Sequence, residues 1–118
     1  MRVVVLTLAL LPYAFLGLSD VLFHARHRPV AGAERLAHAT IGLALLTVVP
    51  QAYLGGRGLV LAGLLLFVAA RAIDEYVFHR AVPHAESRLH ARTHQAFLLY
   101  VVTIMAVDWV EANAWQSL

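Results

Sequence analysis

Four apolar stretches, each about as long as a bilayer crossing, take up most of this chain. The first runs from Val3 to Phe23, interrupted by Pro12 and Asp20, and the second from Leu36 to Leu54, with Pro50 near its end. The third runs from Leu59 to Phe78 and carries Arg71, Asp74 and Glu75 in its last two turns; the fourth extends from about Leu89 to Val110. A helix rising about 1.5 Å per residue needs about 20 residues to cross the hydrocarbon core. With 61% of the 118 residues hydrophobic, 14% charged and a mean hydropathy of +0.73, little remains to form a water-facing surface. Backbone groups in lipid must be satisfied within their own segment, so helices are expected. The fold class predicted is all-α: one integral membrane domain, residues 1–118, folded as a four-transmembrane-helix bundle. Gly55-Gly56-Arg57-Gly58 reads as a tight turn between spans two and three. Trp109 and Trp115 suit an interfacial anchor where span four leaves the membrane. Residues 1–19 also admit a competing reading as a cleaved signal peptide, because Arg2 precedes an apolar run with small residues near Gly17.

Arginine placement orients the spans. Arg26, Arg28, Arg35, Arg71, Arg80, Arg88 and Arg92 lie at the 1–2 and 3–4 connections, and only Arg2 and Arg57 lie on the other face. Seven against two predicts cytoplasmic 1–2 and 3–4 loops with both termini outside. All nine basic residues are arginine, and the chain is rich in Ala, Leu and Val, which suits a GC-rich bacterial genome and an inner-membrane location. A formal charge of +2 is too small to suggest nucleic acid as a partner. The absence of cysteine excludes disulfides, thiolate ligands and iron–sulfur clusters.

The chain also repeats itself. Residues 27–39 read HRPVAGAERLAHA and residues 79–91 read HRAVPHAESRLHA, at an offset of 52 (27 to 79). Among the matched positions are His27/His79, Arg28/Arg80, Glu34/Glu86 and His38/His90. Matched histidines, glutamate and arginine carry more weight than matched alanines in this composition. Two tandem helical hairpins, about 1–55 and 56–118, are expected, with a pseudo-two-fold axis along the membrane normal.

All seven histidines and five of the seven acids fall at one face; the other two acids, Asp108 and Glu111, lie at the opposite one. Span one ends with Asp20, His24 and His27, and span two opens with Glu34 and His38. Span three ends with Asp74, Glu75 and His79; His84 follows Pro83, and span four opens with Glu86, His90 and His94. Spacings of three, four and eight keep such groups on one helical face. Ionisable groups inside a membrane are costly, by about 2.5–3.5 kcal/mol each near a span's centre, unless paired or ligating something. A divalent cation meets that need, since neutral imidazole and carboxylate are common ligands. His24, Glu34, His38, His79, Glu86, His90 and His94 are the expected direct ligands. Asp20, His27, Asp74, Glu75 and His84 are expected to complete or orient that set, and Arg28 and Arg80 to hold an anionic head group or neutralise the carboxylates.

Nitrogen and oxygen donors without sulfur suit iron, manganese or zinc. So many candidates imply two divalent transition-metal ions, with iron foremost, or one ion with an extended hydrogen-bonded surround. His24-x-x-His27 and His90-x-x-x-His94 resemble the histidine-rich segments of the membrane di-iron fatty-acid hydroxylase and desaturase superfamily. That resemblance implies a four-span membrane enzyme with a His-ligated two-metal centre at the cytoplasmic face, oxidising a lipid-like substrate with dioxygen and drawing on a redox partner. The chain departs from that pattern in having no His-His pair and several extra carboxylates. Three other classes are compatible with the same residues. A metal-activated water would support hydrolysis, haem with axial histidines would make an electron carrier, and reversible binding would make a transporter. For a transporter, the other half of the spans offers only Thr47, Gln51, Thr103 and Asp108 as polar stepping stones. The catalytic residues and the oligomeric state are left open by the sequence.

Overall fold

The computed structural model describes residues 1–27, 30, 32–78 and 84–114, with every side chain among them except those of His24 and His27. Among the described residues all regular structure is helical: α1 (Arg2–His27), α2 (Gly32–Leu54), α3 (Arg57–Ile73) and α4 (His84–Ala114), with a π-helical turn, Asp74–Phe78, continuing α3. Three stretches are long and apolar enough to cross a membrane: Arg2–Phe23 of α1, α2 and α4. The third apolar run is divided. Its regular part, α3, has 17 residues, and the five of the π turn carry the helical path on to Phe78.

Helices α1 and α2 run unbroken through Pro12 and Pro50, although each proline removes one N–H from the ladder. Other polar groups close on their own helix. The hydroxyls of Ser19, Thr40, Thr47, Thr93 and Thr103 each donate to the carbonyl four residues earlier. Thr47 and Thr103, two of the expected stepping stones, are therefore bonded to backbone.

Helix α2 ends at Gly55, whose φ of 76° places it in the left-handed region that glycine tolerates. The N–H of Gly56 donates to the carbonyl of Gln51 at 2.9 Å, the six-to-one bond of a Schellman cap. The N–H of Val60 then donates to Gly56 as α3 begins.

The chain forms two compact units. The first, Phe23–His84, is built on α2 and α3. Buried Ala37, Ile41, Ala44, Val48 and Ala52 of α2 share this unit with buried Val60, Gly63, Phe67 and Ala70 of α3. A Cβ on Gly63 would come within 2.7 Å of Val48 Cγ2 and 3.3 Å of the Ala44 carbonyl oxygen. Small residues thus let the two backbones approach closely, as in membrane helix pairs.

The second unit joins Met1–Leu22 to Ala85–Leu118. Three contacts set α1 antiparallel to α4. Arg2 Nη1 pairs with Asp108 Oδ1 at 2.8 Å and Glu111 Oε2 at 2.6 Å, the Tyr13 and Phe97 rings lie 5.0 Å apart, and Asp20 meets His90. Each unit buries two acids, Glu34 and Asp74 in one and Asp20 and Glu86 in the other, while many leucines face outward. Leu8 and Leu18 of α1, Leu46 of α2, Leu65 of α3 and Leu98 of α4 are all exposed. That polarity suits a protein solvated by lipid.

Candidate metal centre

Three of the sequence-predicted residues converge in the α2–α3 unit. Glu34 and His38 stand one turn apart at the start of α2, so their side chains share a face. Asp74 closes α3 as the π turn begins, its N–H shared by the carbonyls of Ala70 and Arg71. Such π turns recur at functional sites because they re-aim the side chains they carry. One ligand atom from each of Glu34, His38 and Asp74 lies within 4.8 Å of the others. Glu34 is 2% exposed and Asp74 fully buried, with His38 partly open.

The donor geometry suits an ion. Two atoms bound at about 2.0–2.2 Å, at angles between a right angle and the tetrahedral value, stand about 2.8–3.6 Å apart. His38 Nε2 and Asp74 Oδ1 are 3.2 Å apart. The other carboxylate oxygen of Asp74 accepts from Arg71 Nη1 at 3.0 Å, so one arginine neutralises one of the two acids. Glu34 lies in the first turn of α2, where the helix dipole favours negative charge.

The α1–α4 unit holds a smaller cluster. With its Nδ1 protonated, His90 donates to Asp20 Oδ1 at 3.0 Å, and both residues are buried. Glu86, one turn before His90, is 2% exposed. The ring of His94 stacks near that of His90 with centroids 6.1 Å apart, but His94 is itself exposed.

Other expected residues lie elsewhere. Glu75 and His84 are exposed, and neither joins the Glu34–His38–Asp74 group. The side chains of His24 and His27, and the whole of Arg28, His79 and Arg80, lie outside the described residues. Asp74, expected only to complete or orient the ligands, is one of the three that converge. Helix phase could have found it, since Phe67, Ala70 and Asp74 follow one buried line while Glu75 is rotated off it. The Arg2 pairings with Asp108 and Glu111 were missed, because nothing local links residues about a chain length apart.

Comparison with protein-family models, with curated proteins and with solved structures finds no match, so what this centre does has to be argued from its own chemistry.

Proposed function

We propose that this chain is a metal-dependent oxidoreductase of the membrane, holding a transition-metal ion at Glu34, His38 and Asp74 and acting on an apolar, lipid-like molecule. The observation that carries the reading is the convergence of a buried imidazole–carboxylate triad in a protein whose outer surface is apolar. Iron fits this donor set, with manganese and zinc as alternatives. When bound, iron would supply redox chemistry with dioxygen, the electrons coming from a partner. The residues of the chain do the rest. Glu34, His38 and Asp74 hold the ion, and Arg71 fixes Asp74. Arg28 and Arg80 are assigned to an anionic head group.

A resident ion is favoured over transport because Thr47 and Thr103 are bonded to their own helices and Asp108 pairs with Arg2. The wider setting belongs to the same proposal. Four spans, the fourth supplied by α3 with its π turn, would place the centre at the cytoplasmic face of a bacterial inner membrane. The fused hairpins would be related by the internal repeat.

Protein purified without chelators should carry a transition metal measurable by elemental analysis. Glu34→Gln and His38→Gln should lower that content, and Glu75→Gln should leave it unchanged. A second reading, in which the cluster only clamps α2 to α3, is favoured by the His38–Asp74 contact, which joins the start of α2 to the end of α3. Metal-free wild-type protein whose melting ignores added metal and chelator would establish the clamp and sink the metal centre.

A further inference from the structure

The buried positions of the two units follow the same frame. In α2 they are Glu34, Ala37, Ile41, Ala44, Val48 and Ala52. Advanced by 52 residues (34 to 86), five of those six fall on buried positions of α4: Glu86, Thr93, Ala96, Tyr100 and Ile104. In α3 and its π turn the buried line is Val60, Gly63, Phe67, Ala70 and Asp74. Set back by 54 (74 to 20), it falls on Leu6, Ala9, Tyr13, Leu16 and Asp20, of which the first and last are buried and the rest half-buried. The two helix starts obey the same offset, with α2 beginning at Gly32 and α4 at His84. Under this frame the His38–Asp74 contact of one unit maps onto the His90–Asp20 contact of the other.

We infer that the α1–α4 unit carries a second divalent-metal site, formed by Glu86 and His90 with Asp20 as a positioning residue, so that the chain binds two ions, one per unit. The inference rests on the metal reading of the first centre and adds the place and make-up of a second. Its chemistry differs in one respect. The Nδ1–H of His90 donates to Asp20, and in that tautomer the lone pair is on Nε2, the arrangement by which a carboxylate orients a metal-ligating histidine. Glu86, one turn earlier on the same buried face and in the first turn of α4, supplies the oxygen. The arginine that neutralises Asp74 has no counterpart in the frame, because Gly17 stands three residues before Asp20 where Arg71 stands three before Asp74.

The test is metal stoichiometry on the full-length protein in detergent, loaded with Fe(II) without oxygen or with Zn(II), freed of loose ions and analysed for metal. Wild type should retain two ions, His90→Gln one, His38→Gln one, and the double variant none. Asp20→Asn should keep the second ion but bind it about 10–100-fold more weakly, as expected when an orienting carboxylate is lost. Because a variant can misfold, Co(II) loaded into wild type gives a second readout, and two ligand-field signatures should each be lost in one of the two histidine variants. One ion in wild type and still one in His90→Gln would overturn the second site and leave the first standing. Loss of both ions from either single variant would equally overturn two separate sites. No ion in wild type would remove both proposals.

Discussion

Asp74 carries two duties with its two oxygens, toward His38 and toward Arg71, and neighbouring Glu75 carries neither. Replacing a fully buried carboxylate that faces a guanidinium leaves the guanidinium with a neutral partner, at a cost of about 3–5 kcal/mol. Asp74→Asn should therefore unfold markedly earlier than wild type in metal-free detergent melts, whereas Glu75→Gln at an exposed position should shift stability by less than about 0.5 kcal/mol. Equal effects would mean that the residue after Ile73 is not the one turned inward. The contrast also shows what can be read from the chain. That this end of span three bears acids is plain from the sequence. Which acid faces inward follows from the phase of Phe67 and Ala70, but which helix it meets does not, since the spacing pattern is blind to partners.

At the scale of the helices, the close approach of α2 and α3 turns on Gly63. Gly63→Ala would press a methyl group against Val48, a β-branched side chain with little rotamer freedom, and against a backbone oxygen. Overpacking of this kind costs about 1–3 kcal/mol. Gly42, where an added methyl group would meet nothing within 4 Å, is the control: Gly42→Ala should gain about 0.5–1 kcal/mol from helix propensity alone. Thermal melts of the two variants should move in opposite directions, and a shared direction would contradict the packing described. The α2–α3 turn was legible in Gly55-Gly56. The π turn was not, because nothing in Asp74-Glu75-Tyr76-Val77-Phe78 marks a change of winding.

For the whole molecule, the apolar exterior and the three helices of crossing length were readable from hydropathy alone. The units that pack join α2 with α3 and α1 with α4. Arginine asymmetry predicts that the two ends of α2 lie on opposite sides of the membrane, its start in the cytoplasm. Gly32 and Gly58, both with open space around them, are suited to single cysteines, and each should react with an impermeant thiol reagent from its own side only. Outside labelling at Gly32 would invert the orientation.

The pairing of α1 with α4 also has a consequence for biosynthesis. The α2–α3 unit can assemble as soon as α3 has followed its short turn, but α1 is made before both and its partner α4 after both. At about 5–20 residues per second, several seconds separate Asp20 from the arrival of His90. During that interval Asp20 sits in a nascent helix without the imidazole that will receive it, and Arg2 waits longer still for Asp108 and Glu111. Helix α1 therefore carries Asp20 and Arg2 without these partners until α4 has been made.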